Sequence, residues 1–145
     1  MLVNHILEAK GHEVATIEPD ALVTTAVARL AERGIGALVV SHDGVTVSGM
    51  LSERDVVRLI VSGAPPPLMR PVSDVMTTPV FCTTSDRTVD DLMDLMTKRR
   101  VRHVPVVDFS NSLIGIVSIG DAVKWRLGEL EEERQALIGY ITLGG

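Results

Sequence analysis

Gly49-Met50-Leu51-Ser52-Glu53-Arg54-Asp55 returns 66 residues later as Gly115-Ile116-Val117-Ser118-Ile119-Gly120-Asp121. Each copy reads Gly-apolar-apolar-Ser-x-x-Asp, closes an apolar strand-like run and opens a helix-like one. Such self-similarity sets the number of structural units, so it is read before any other signal. The same shift aligns Asp20 with Asp86, Val23 with Val89, Val40 with Val106 and Val57 with Val123 without a gap. Identity is thin elsewhere and concentrates at the strand-to-helix turn.

Working outward, each copy ends a β-α-β-β-α pattern. In the first, Val14–Ile17 is a short strand. The span 20–33 is an amphipathic helix with Val23, Ala26, Val27, Leu30 and Ala31 three and four apart. Gly34 stops that helix. Ala37–Val40 reads as a buried strand, His42-Asp43-Gly44 as a turn, Val45–Leu51 as the third strand and Ser52–Ser62 as the second helix. In the second copy Val80–Thr83 is the short strand. Thr88 starts a helix with Asp91 as its capping partner and Val89, Leu92, Met93 and Met96 as its apolar stripe. Val104–Val107 is the buried strand, where Pro105 argues for a strand start or a sheet edge. Leu113–Ser118 follows, and then a helix from about Ile119 into Glu131–Glu133.

The expected organisation is a cap segment over 1–12, a first repeat over 13–62 and a linker over 63–78. A second repeat covers 79–130, and a helix end with an apolar tail covers 131–145. Leu2, Val3, Ile6 and Leu7 make the cap a short helix stopped by Gly11. Pro65-Pro66-Pro67 favours an extended linker. Ile138 to Leu143 is apolar for a chain end and suits a partner subunit. The fold class expected is α/β (α+β): two pseudo-symmetric repeats, each too small for its own core, packed as one module.

Composition narrows the function. Apolar residues make up 46% of the 145, enough for a core, and aromatics only 3%, so the core is aliphatic and base stacking is a poor model. A net charge of −5 argues against direct nucleic-acid binding, which needs clustered Lys and Arg. The single cysteine, Cys82, excludes an internal disulfide. No run reaches the roughly 18 apolar residues of a membrane span, so a soluble, cytoplasmic protein is expected. His5, His12 and His42 lack metal spacing and read as surface or turn residues. Met69, Met76, Met93 and Met96 read as adaptable filler, Cys82 as inert, and Glu129–Glu133 as a solvated helix face. There is no Gly-x-Ser-x-Gly elbow, Walker loop, metal cluster or Gly-x-Gly-x-x-Gly, so catalysis is not expected.

Ser-x-x-Asp at a helix start has two readings. As a capping box, the Ser oxygen accepts a backbone N–H one turn in and the Asp reaches back, which needs no ligand. Alternatively, a helix N-terminus offers N–H groups to a phosphate, the Ser hydroxyl adds a donor, and the carboxylate suits two ribose hydroxyls. The glycine then lets a ligand approach the backbone. Two copies facing a shared cleft strengthen the second reading.

With Arg102-His103-Val104-Pro105-Val106 in the second strand, the two β-α-β-β-α repeats resemble a tandem pair of CBS domains, named for cystathionine β-synthase, over about residues 12–130. The resemblance implies two clefts for adenine-containing ligands: AMP, ADP, ATP, NAD(H) or, less readily, S-adenosylmethionine. It implies that Asp55 and Asp121 hold ribose hydroxyls, with Ser52 and Ser118 near ribose or phosphate and Met50 and Ile116 flanking adenine. Backbone around Ala15, Thr16 and Ile17, and around Phe81 to Thr83, would meet the base edge, and Arg102 and His103 the phosphates. Arg54 is open between phosphate contact and solvated surface charge. The first repeat has Gly36, Ala37 and Val39 where the second has Arg102, His103 and Pro105, so the clefts are unequal. The cleft with Ser118, Asp121 and Arg102 is expected to favour phosphate. The function implied is a regulatory nucleotide sensor that signals to an unknown partner, with homodimerisation through paired modules. The alternative is a dimerisation scaffold without a nucleotide.

Overall fold

The computed structural model describes residues 1–63 and 69–144. The prolines of the expected linker, Pro65–Pro67, lie outside the described residues. The chain runs α1 (Val3–Lys10), β1 (Thr16–Ile17), α2 (Val23–Arg33), β2 (Ala37–Val40), β3 (Gly49–Ser52) and α3 (Glu53–Val61). After α4 (Val72–Val75) come β4 (Thr83–Thr84), α5 (Val89–Arg99), β5 (His103–Val107), β6 (Leu113–Ser118) and α6 (Ile119–Gly144). The strands form two three-stranded sheets, β1-β2-β3 and β4-β5-β6. In each, the first pair is parallel and the second antiparallel.

Alternation along the strands builds the layers. Leu38, Val40 and Leu51 turn to one side of the first sheet and pack with Ala26 and Leu30 of α2. Ala37, Val39 and Met50 turn to the other and meet Val80, Leu113 and Ile116 of the second half. Both faces of β2 are therefore covered, which is why it reads as four apolar residues in a row. In the second half Val104, Val106 and Val117 pack with Val89, Leu92 and Met96 of α5.

The short helices cross over. α1 packs Val3, Ile6 and Leu7 into the core of the second sheet, and α4 packs Val72 into the core of the first. Backbone hydrogen bonds repeat the exchange. Val3 N donates to Arg87 O (2.8 Å) and Asn4 N to Ser85 O (2.9 Å), while Val72 N donates to Ala21 O and Ser73 N to Pro19 O (both 2.8 Å).

Several expectations change. The third strand of the first half starts at Gly49 rather than Val45. The Asp43 carboxylate captures Val45 N (2.8 Å) and Thr46 N (2.7 Å), and Val45 O then accepts from Leu113 N (2.8 Å), which draws this stretch away from β2. Those backbone donors also hold the Asp43 carboxyl well below the usual range. Pro105 lies at neither a strand start nor an edge: it sits inside β5, the central strand of its sheet. In the first half Val39 N donates to Ala15 O (3.1 Å). β1 begins at Thr16 rather than the expected Val14, and β4, where Pro105, the counterpart of Val39, has no N–H for Phe81 O, begins one place later still, at Thr83 rather than Val80. α2 starts at Val23, after a turn. The expected apolar tail is helical: α6 runs to Gly144, with Leu137, Tyr140 and Leu143 exposed. Gly34 closes α2 in the left-handed conformation and Gly11 closes α1, both as expected.

Candidate functional site

The two strand-to-helix turns share one local construction. Ser52 Oγ accepts from Asp55 N (3.3 Å), and Asp55 Oδ2 accepts from Ser52 N (2.9 Å) and Ser52 Oγ (3.0 Å). Ser118 Oγ accepts from Asp121 N (3.1 Å), and Asp121 Oδ2 accepts from Ser118 N (2.9 Å). Both turns are capping boxes. The carbonyl preceding the central strand anchors each helix start: Glu53 N donates to Gly36 O (2.9 Å) and Ile119 N to Arg102 O (2.8 Å).

The motif glycines serve packing. A Cβ on Gly49 would lie 2.5 Å from Met76 Sδ, and one on Gly115 would lie 2.6 Å from a Leu7 methyl. Met76 follows α4 and Leu7 lies in α1, so the glycines admit the exchanged helices. The close approach expected of a ligand is made by the protein itself.

What reaches each aspartate differs. Thr77 Oγ1 donates to Asp55 Oδ1 (3.0 Å), and Thr77 N donates to Met50 O (2.8 Å). At the other turn Lys10 Nζ takes both roles, donating to Asp121 Oδ2 (2.7 Å) and to Ile116 O (2.9 Å). His12 Nδ1 lies 2.8 Å from Ile114 O on the same stretch of β6. Burial acts to raise the Asp121 pKa, but the Lys10 hydrogen bond and charge and the Ser118 N–H outweigh it, and the carboxyl sits below its usual value.

A cavity of about 400 Å³ opens beside the Asp55 turn. Met50, Ser52, Arg54 and Asp55 line it from the first half, with Gly36. From the second half come Phe81, Arg99, Arg100, Arg102 and His103. Arg102 is thus grouped with Asp55 rather than Asp121, which reverses the expected pairing, while His103 stands within reach of charges from both turns. The packing explains it: each turn faces the other half, so the basic segment of one half lies across from the aspartate of its neighbour. His103 is pushed below the usual histidine pKa, first by burial and then by the Lys10 charge, against the opposing pull of Asp121 and Glu53.

The other expected residues lie outside this cavity. The carbonyls of Ala15 and Ile17 accept from Val39 N and Ser41 N, and Thr16 O accepts from Arg29. The first strand therefore has its carbonyls engaged. Thr83 is buried and paired with Val106, and Ile116 packs between the sheets. Ser118 and Asp121 form the second turn with Lys10. Arg99, Arg100, Thr77 and Lys10 were not singled out from the sequence. The run Arg99-Arg100-Val101-Arg102 carried a signal for the first two. Nothing local marks Lys10, because its role depends on the helix exchange. Among the described residues no cluster of His, Cys, Asp and Glu could hold a metal, and no helix is long and apolar enough to cross a membrane. Cys82 is half-buried, and burial raises its thiol pKa.

Comparison with known proteins places these features. The family model "CBS domain" matches residues 9–62 and 72–128. The mitochondrial CBS domain-containing protein CBSX3 of Arabidopsis thaliana is 36% identical over 129 residues, covering 86% of this chain and 62% of the relative. This chain therefore spans under two thirds of that protein's length. The solved structure of a CBS-domain containing protein from Agrobacterium tumefaciens superposes with a TM-score of 0.80 at 40% identity, covering 86% of this chain and 98% of that one. CBSX2, solved in complex with AMP, gives a TM-score of 0.71 at 26% identity over 80% of this chain and 89% of that one. The paired repeats, their strand-to-helix turns and these likenesses make the chain a member of the CBS-domain family, built as one tandem pair.

Proposed function

We propose that the chain is a regulatory module that binds an adenine nucleotide in the cavity between the Ser52–Asp55 turn and the Arg100–His103 segment. One observation carries the reading: a carboxylate suited to ribose and a basic segment suited to phosphate share one concave site, contributed by opposite halves. Asp55 holds the ribose hydroxyls, Met50 and Phe81 flank the base, and Arg102 and His103 meet the phosphates. CBSX2, which binds AMP, supports the ligand class. A ligand that prefers one packing of the two halves shifts the population toward it, and an interacting protein reads that shift. The site needs no catalytic role, and the module acts by binding.

Self-association is the second part of the proposal. Leu127, Leu130, Leu137, Ile138 and Ile141 lie exposed along α6, and a second copy of the chain is the partner that covers them. Sedimentation that finds only monomer at tens of micromolar, a range set by ordinary interface affinities, would remove this part. A scaffold without nucleotide is the competing reading, and the two fully formed capping boxes favour it. A thermal-shift series with AMP, ADP, ATP, NAD+, NADH and S-adenosylmethionine separates the two readings. A ligand at about 100 times its Kd stabilises the fold by about 2.7 kcal/mol, whereas a scaffold responds to none of them.

A further inference from the structure

We infer that the cavity selects ligands carrying at least two linked phosphates, as in ADP, ATP or a dinucleotide, over AMP and over the cationic S-adenosylmethionine. The inference rests on the nucleotide-binding reading above and deepens it.

The first observation is where this acidic chain leaves its guanidinium groups unpaired. Of the six arginines elsewhere five are engaged, Arg29 with Thr16 O, Arg33 with Glu13, Arg70 with Asp74, Arg126 with Glu129 and Arg134 with Glu131, and Arg87 acts on the adjacent Asp86 through its charge alone. Among the described residues the side chains of Arg54, Arg58, Arg100 and Arg102 make no hydrogen bond or ion pair, and all four line the cavity. A fifth, Arg99, lies with its guanidinium carbon 4.4 Å from the centre of the Phe81 ring, also at the cavity. Only two carboxylates, Glu53 and Asp55, line it in return, and Asp55 already accepts from Ser52 and Thr77. Five guanidiniums against two carboxylates leave more positive charge than one phosphate monoester neutralises. A guanidinium holds phosphate oxygens in pairs, so several phosphates use the set more fully than one.

The second observation is conformational. Arg100 ends α5 in the left-handed region, at φ 54°. Its counterpart in the first half, Gly34, adopts φ 61° at the end of α2. A glycine takes this conformation freely and an arginine does not. The strained arginine stands at the cavity side of the molecule, and the relaxed glycine stands at the end of the other half's helix. Strain of this kind marks a functional position.

The test is calorimetric titration of the full chain with ATP, ADP, AMP and S-adenosylmethionine, with inorganic tripolyphosphate as a competitor. Affinity should rise from AMP to ADP to ATP, at least tenfold over the series. S-adenosylmethionine should bind more weakly than AMP, and tripolyphosphate should displace ATP. Arg100→Gly suits the backbone and keeps the fold, so it should weaken ATP severalfold and AMP by less, narrowing the preference for ATP. AMP binding as tightly as ATP, or an Arg100→Gly variant that keeps full preference for ATP, overturns the inference while nucleotide binding stands. No binding by any nucleotide overturns the nucleotide reading itself.

Discussion

The Asp55 and Asp121 turns have the same cap, the same anchoring carbonyl and a glycine at the same place, yet the molecule finishes them differently. At Asp55 a neutral threonine closes the network, and a basic cavity opens alongside. At Asp121 a lysine from α1 supplies both the charge and the backbone contact, and the first-half counterpart of Arg100-Val101-Arg102 is the uncharged Gly34-Ile35-Gly36. One turn lies beside a basic cavity, and the other is neutralised from within. A duplicated motif therefore does not imply a duplicated site: the chemistry depends on what the opposite half brings to it.

The largest effect that would sharpen this comparison concerns packing. Gly115→Ala drives a methyl into Leu7, which is fully buried, and should cost about 3 kcal/mol in urea unfolding. Gly49→Ala meets the flexible, half-buried Met76, and should cost about half as much. Equal losses would mean that the two exchanged helices are held with the same tightness. Next is ligand affinity. Asp55→Asn should weaken ATP at least tenfold, about 1.4 kcal/mol, while Asp121→Asn changes it less than twofold. The reverse order would break the assignment of the site to the first turn.

A smaller effect belongs to Lys10. Lys10→Met keeps the alkyl stem and removes the partly exposed ion pair, lowering stability by about 1 kcal/mol at neutral pH. Because Asp121 is held below its usual value, this contribution is present above the ordinary carboxylate pKa and is lost as pH falls through the lowered one. The gap between wild type and variant should close in acid, and a gap that persists there would show that packing, not charge, links Lys10 to the fold. The smallest effect is that of His103, whose folded-state pKa lies below the ordinary value. The unfolded chain binds the extra proton, so stability rises with pH through the window just below the ordinary histidine pKa. His103→Gln should flatten that rise. A steeper rise in the variant would place the titrating group elsewhere.

The fold was legible because the strands and helices carry strong local periods and because Gly-apolar-apolar-Ser-x-x-Asp occurs twice. Fully covered β2 read as an unbroken apolar run, and Gly34 marked a helix end. The shorter β3 and β4 were not legible. Asp43 captures two backbone donors, and Pro105 withholds one, and both effects need the tertiary neighbour to be known. Of the expected site residues Ser52, Asp55, Arg102 and His103 line one cavity, although the sequence had set Arg102 beside Asp121. Strand pairing sets His103 opposite Ser118, and Arg102 O accepts from Ile119 N, whereas Arg102 lines the cavity beside Asp55. Lys10 was invisible, because a lone lysine at a helix end has no local signature of a partner 111 residues away.

The exchange of α1 and α4 also sets a timetable. A nascent chain that has emerged through residue 62 holds the first sheet without Val72, which fills its core, and holds α1 without the sheet that α1 will cover. The first half can close only when α4 has been made. The second half finds its covering helix already waiting, synthesised about 100 residues earlier than the strands it seals. The two halves must therefore finish folding together, and a break between α3 and α4 strands one covering helix on each side.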